Sequence, residues 1–184
     1  VKLNNISLVS ASSDNTIKIW SLKTTNCIKT IEGHSDAIYC IIKLEKNTLA
    51  SCSADKTIKL FNLTTGKCVK TLYGHTDYVI SIKKISKNIL VSSSDDKTVR
   101  LWDIKTGDLI KTLFQNTDTV LTLTKIDSTT LATGDRNEKI ILWNIKNKCC
   151  LKTLLGNNDW VNSTLKVSGT TLAGCSDNII SLWN

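Results

Sequence analysis

At 184 residues, with 41% hydrophobic and 22% charged side chains, the chain has the composition of an ordinary globular protein and not of a disordered tail. No stretch approaches the roughly 18 consecutive apolar residues of a membrane span, and the first residues lack the basic-then-apolar pattern of a secretory signal. Seven cysteines, an odd number with no zinc-knuckle spacing, speak against a disulfide framework and a metal site, so the cytosol or the nucleus is the expected setting. The formal charge of +8 is almost wholly lysine, because Arg100 and Arg136 are the only arginines. Scattered lysines lack the forked donors with which arginine grips phosphate or guanine.

In chain order, Val1-Lys2-Leu3 aligns with Ile42-Lys43-Leu44, so the chain opens on the end of an inner strand. The first alternating run ends at Trp20, and the corresponding aromatics are Phe61, Trp102, Trp143 and Trp183, at separations of 41, 41, 41 and 40 residues. The rest of the unit recurs with them: Cys27 to Ile31 answers Cys68 to Leu72, and Ser53 to Phe61 answers Ser94 to Trp102. Short apolar runs bounded by turn residues give four strands per unit. In the second unit these fall at about 37–44, 48–53, 57–62 and 67–72, with turns at Lys46-Asn47, Ala54-Asp55-Lys56 and Thr64-Thr65-Gly66. No proline interrupts the ladders. One four-stranded sheet cannot bury both its faces, so neighbouring units must stack and the core must lie between them. The expectation is one all-β domain over 1–184, with no linker, in which five units are touched and the first and last are incomplete.

The third unit resembles the WD-repeat family at Gly74-His75, Ser92, Asp96 and Trp102-Asp103, and the similarity extends along the whole chain. The resemblance implies a β-propeller of four-stranded antiparallel blades. It also implies a hydrogen-bonded set in each blade, here His75, Ser92, Asp96 and Trp102. The second blade has His34, Ser51 and Asp55 with Phe61 in the tryptophan position. The fourth replaces Gly-His by Gln115-Asn116 and the aspartate by Asn137, keeping Thr133 and Trp143; the fifth has Gly156-Asn157, Ala173, Asp177 and Trp183. Because the histidine, serine and aspartate recur in partial form from blade to blade, they read as a structural network and not as a nucleophilic triad. Such blades usually close as seven, so the chain reads as a segment of a longer propeller or as a five-bladed ring with an unsealed seam, and its expected partners include the rest of a longer propeller or a second copy that seals the ring.

Propellers of this family are non-catalytic scaffolds whose partners dock at the start of the inner strands and just before the turn aspartate. By position those residues include Tyr39, Tyr78, Asp95, Arg136, Trp160 and Asn162, and exposed aromatics and arginine dominate binding hot spots. The partners expected are other proteins or peptides, with no cofactor and no metal. Lys43, Lys84, Lys125 and Lys166, with Lys2, recur every 41 residues near the opposite end of the inner strand. A convergent set there would bind anions, so a polyanion, RNA or an anionic membrane surface is the alternative partner. On that reading, neutralising these lysines leaves folding intact or improves it.

Overall fold

The alternation read above produces strands throughout. The computed structural model describes residues 1–45, 47–114, 116–169 and 171–184, which contain nineteen strands and no helix. Lys46, at the expected first turn of the second unit, and Gln115 lie outside the described residues.

The strands are β1 (Lys2–Asn4), β2 (Ser7–Ala11), β3 (Ile17–Ser21), β4 (Cys27–Ile31), β5 (Ile38–Glu45), β6 (Thr48–Ser53), β7 (Ile58–Asn62), β8 (Cys68–Leu72), β9 (Val79–Lys84) and β10 (Ile89–Ser94). They continue as β11 (Val99–Asp103), β12 (Leu109–Leu113), β13 (Val120–Lys125), β14 (Thr130–Asp135), β15 (Ile140–Asn144), β16 (Cys149–Leu154), β17 (Ser163–Lys166), β18 (Leu172–Cys175) and β19 (Ile180–Trp183). Each consecutive set of four forms one sheet in chain order, and β17 to β19 form a sheet of three. These are antiparallel propeller blades, numbered 1 to 5 here. The strands of blade 2 fall within a residue of the positions read from the sequence.

The chain divides into two compact units, Val1–Ile82 and Lys83–Asn184, with the division inside β9. In the first unit, Val9, Ile17, Ile19 and Ile31 of blade 1 pack with Ile38, Ile41, Leu49 and Phe61 of blade 2. In the second, Val91, Val99 and Leu101 of blade 3 meet Val120, Leu131 and Trp143 of blade 4, while Ala132, Ile140 and Leu154 of blade 4 meet Val161 and Leu172 of blade 5. The core therefore lies between sheets, as the two-faced geometry of a blade demands. Glycine is needed where blades 4 and 5 approach closely: a Cβ on Gly134 would sit 2.5 Å from a Val161 methyl, and one on Gly174 would sit 2.6 Å from Ile140.

Two turn positions adopt left-handed backbone in blade after blade. Asn15, Lys56, Lys97 and Glu138 have φ of 68°, 68°, 65° and 62°, and Thr25, Gly66, Gly107 and Lys148 have φ of 59°, 76°, 91° and 56°. Such a conformation costs a residue with a Cβ about 1–2 kcal/mol. At Asn15, Lys56 and Lys97, hydrogen bonds that the preceding aspartate accepts from the following threonine offset it.

Candidate functional site

The aspartate turns are built alike. Asp14, Asp55 and Asp96 each accept a backbone N–H at 3.0 Å and a hydroxyl at 2.6 Å from Thr16, Thr57 and Thr98 respectively. In blade 2 a buried histidine ties this turn to the neighbouring strand: His34 Nδ1 lies 2.7 Å from Asp55 Oδ2, and Nε2 lies 2.7 Å from Ser51 Oγ. A carboxylate only accepts, so Nδ1 carries the proton. Burial alone would push the Asp55 carboxyl up, but the hydrogen bonds from His34 and Thr57 outweigh it and hold the group well below the usual carboxylate range. Phe61 has no donor for Ser51; its ring instead packs beside the imidazole, with centroids 6.1 Å apart.

Trp20 donates to Ser10 at 2.8 Å, Trp102 to Ser92 at 2.8 Å and Trp143 to the Thr133 hydroxyl at 3.0 Å. His75 is buried in the first unit, and Ser92, Asp96 and Trp102 lie in the second. Asn116 stands where blade 4 lacks its histidine; it is reached by Thr133 Oγ1 only at 3.5 Å, and its Nδ2 is buried without a partner among the described residues. In blade 5 Ala173 offers no hydroxyl, and the Trp183 indole turns to the Leu155 carbonyl at 3.4 Å. The arrangement of Ser51, His34 and Asp55 is in hydrogen-bonding order for a nucleophilic triad, but Ser51 has no exposed surface, so its hydroxyl cannot meet a substrate.

At the start of the inner strands the aromatic rings of Tyr39, Tyr78 and Trp160 are half-exposed, whereas Thr119 is buried. Asp36, Asp77, Asp118 and Asp159 each accept the next residue's N–H at 2.7–2.9 Å, which fixes how Ala37, Tyr78, Thr119 and Trp160 leave the turn. In the first unit the Tyr39 and Tyr78 rings, 49% and 40% exposed, meet at a tilt with centroids 6.2 Å apart. In the second, the Arg136 backbone N–H donates to the Thr119 carbonyl at 3.0 Å, and its guanidinium lies over the Trp160 ring at 4.8 Å from the centroid. Trp160 remains 48% exposed, and Asn162 donates to Asp177 at 2.7 Å beside it. Arg136 Nε and one oxygen of the half-buried Asp95 are without a hydrogen-bond partner among the described residues. The stack of Arg136 on Trp160 was not legible in the sequence, because it joins a turn of one blade to the segment that leads into the first strand of the next.

A family model described as "WD domain, G-beta repeat" matches residues 3–21, 25–62, 66–103 and 148–184. The chain belongs to the WD-repeat family. A comparison with curated proteins finds no match. The longest stretch outside the family match, 104–147, carries β12 of blade 3 and the inner three strands of blade 4, where Asn116 and Asn137 replace the histidine and aspartate. This WD blade nevertheless keeps its four strands and its Trp143–Thr133 hydrogen bond.

The periodic lysines have partners inside these WD blades. Lys43 Nζ donates to the Leu3 carbonyl at 2.6 Å, Lys166 to Ile126 at 2.8 Å, and Lys125 to the Ile85 carbonyl. Each amine thus reaches the end of an inner strand one blade back. Lys84 occupies the same position and is half-buried. Removing such an amine leaves a strand-end carbonyl without its donor, so Lys43→Ala and Lys166→Ala should each cost about 0.5–1.5 kcal/mol in urea denaturation. That direction is opposite to the one expected for mutually repelling, solvated charges. Among the described residues, no group of three or more His, Cys, Asp or Glu side chains is placed to hold a metal ion, and no helix is long and apolar enough to cross a membrane.

Proposed function

We propose that the protein is a non-catalytic interaction scaffold which receives a partner protein or peptide at the start of its inner strands. The observation that carries this reading is the half-exposed Trp160 with the Arg136 guanidinium stacked on it. An aromatic left in water costs hydration free energy that a partner's apolar side chain recovers, and the stacked arginine holds the indole in one orientation before binding. Tyr39 and Tyr78 supply a second exposed aromatic pair, and Asp95, just after a second strand, and Asn162, just before an inner strand, add polar groups. None of the seven cysteines is in a disulfide, which suits a reducing compartment, the cytosol or nucleus. The alternative, docking of a polyanion at Lys43, Lys84, Lys125 and Lys166, is less favoured because three of those amines already serve backbone carbonyls.

The test is a photo-crosslinker at Asn162, which identifies a partner, followed by titration of that partner against variants. Trp160→Ala should weaken binding by about 2 kcal/mol or more, the usual size of a hot-spot truncation, with the thermal transition unmoved. Lys43→Ala serves as the control that shifts stability and leaves affinity alone. Unchanged affinity in Trp160→Ala and Arg136→Ala would remove this surface from the function.

A further inference from the structure

Among the described strands, blade 2 alone carries a thiol on both its first and its second strand. Cys40 of β5 and Cys52 of β6 are directly opposed in the antiparallel ladder, at the head of a regular run of pairs that continues to Lys43 and Leu49. Opposed residues of such a ladder project from the same face of the sheet, with Cα atoms about 4.5 or 5.5 Å apart. A disulfide spans about 4.4–6.8 Å between Cα atoms, so the backbone already holds the pair at bridging distance. The thiols also touch: burial first, and then a side-chain hydrogen bond with Cys40, push the Cys52 thiol well above its ordinary range. Blade 4 shows how close this position brings its side chains, since a Cβ on Gly134 would lie 2.8 Å from a methyl of the opposed Thr122.

None of the other cysteines faces a cysteine across a described strand pair. Cys27, Cys68 and Cys150 face Trp20, Phe61 and Trp143, Cys149 faces Asn144, and Cys175 faces Ser163 and Ile180. Cys149 and Cys150 are successive in β16, so their side chains leave opposite faces of the sheet. Access also differs within the opposed pair. Cys52 is 0% exposed, whereas Cys40 is half-buried near the start of β5, its sulfur 3.9 Å from the Ile82 carbonyl.

We propose that Cys40 and Cys52 are a redox-responsive pair, which hydrogen peroxide converts into a disulfide joining β5 to β6 beside Tyr39. The Cys40 sulfur, as thiolate, attacks one peroxide oxygen; the O–O bond breaks, and the departing hydroxide takes up the thiol proton as water. The Cys52 sulfur then attacks the Cys40 sulfenic acid. The S–S bond forms, the S–O bond breaks, and hydroxide leaves with the Cys52 proton as a second water. Two thiols and one peroxide thus give one disulfide and two waters, the sulfurs losing the electron pair that the peroxide gains. A small oxidant suits a site whose outer thiol is half-covered and whose inner thiol is sealed. The ladder shifts register between Ile38 and Cys40, which sets the half-exposed Tyr39 out of the pairing, so the bridge fixes the strand that carries this ring.

The test is hydrogen peroxide treatment of the folded 184-residue chain, followed by alkylation in denaturant and peptide mass spectrometry. The expected result is the loss of two of the seven alkylatable thiols and a linked peptide pair that contains Cys40 and Cys52 and disappears with dithiothreitol. Cys52→Ser should stop at a Cys40 sulfenic acid that dimedone traps. Cys40→Ser should leave Cys52 a thiol at a peroxide dose that fully oxidises the wild-type pair. Serine suits both positions, because blade 3 has Ser81 and Ser93 there. Peroxide that oxidises the exposed Cys27, Cys68 and Cys149 while Cys40 and Cys52 stay alkylatable would overturn the proposal. So would a wild-type chain in which Cys40 accumulates as sulfenic acid, or one in which Cys40 links to a cysteine other than Cys52.

Discussion

Replacing Trp143 with alanine is expected to cost about 3–5 kcal/mol, the range for emptying a fully buried aromatic site. The indole is 2% exposed and belongs to the cluster that joins blade 3 to blade 4, so the cavity would open inside the core of the second unit and not at its surface. The loss is a large part of the 5–15 kcal/mol that stabilises a typical domain, so the variant should unfold in low urea or fail to accumulate. Trp143→Phe separates the two contributions. Phe61 shows that a phenyl ring is accommodated in this position of a blade, so the packing should largely survive. The Thr133 hydroxyl, however, would lose the indole donor at 3.0 Å and keep only contacts at 3.5 Å. About 1–3 kcal/mol is the expected cost of that change. Urea curves followed by circular dichroism check both values; a Trp143→Ala midpoint equal to that of wild type would mean that the second unit does not depend on this joint.

The architecture was legible because the blade is a local motif repeated. Alternating runs, turn residues and an aromatic every 41 residues specify strands and their order without long-range information. The fourth blade shows how robust that signal is: its Gly-His and aspartate are gone, yet Thr133 and Trp143 at the correct spacing still mark strands that pair in the same register as Ser92 and Trp102. What could not be read is whatever depends on the offset between neighbouring sheets. The lysine period was plain, but the acceptor of each amine lies one blade back and was visible only once the sheets were stacked. The same is true of Arg136, whose ring partner is 24 positions away in sequence. The partners of a buried hydroxyl also come from other strands: Ser92 accepts from the Trp102 indole, and Ser51, facing Phe61, lies against the His34 imidazole.

The buried contact of His34 with Asp55 makes blade 2 the acid-sensitive joint of the first unit. Asp55 has a side chain only 7% exposed, accepts from His34, Thr57 and the Ser35 backbone, and titrates below the usual carboxylate range. A carboxylate whose folded pKa is depressed below its unfolded value near 3.8 contributes stability that is complete above that value. The contribution is lost as pH falls through the unfolded pKa toward the folded one. The stability of the first unit should therefore be flat in Asp55 near neutrality and decline from about pH 5 downward. Asp55→Ala removes the acceptor from a buried imidazole and from the turn at once, and should cost about 2–3 kcal/mol at pH 7, in the range of hydrogen bonds to a charged group. It should also flatten the acid limb of the stability profile, because the titrating group is gone. Asp55→Asn keeps an acceptor oxygen and part of the turn, so it should lose less at pH 7 while flattening the acid limb just as fully. Denaturant midpoints measured from pH 3 to pH 7 decide the matter: an acid limb as steep in both variants as in wild type would show that another carboxylate governs the loss of stability and that the His34–Asp55 pair does not.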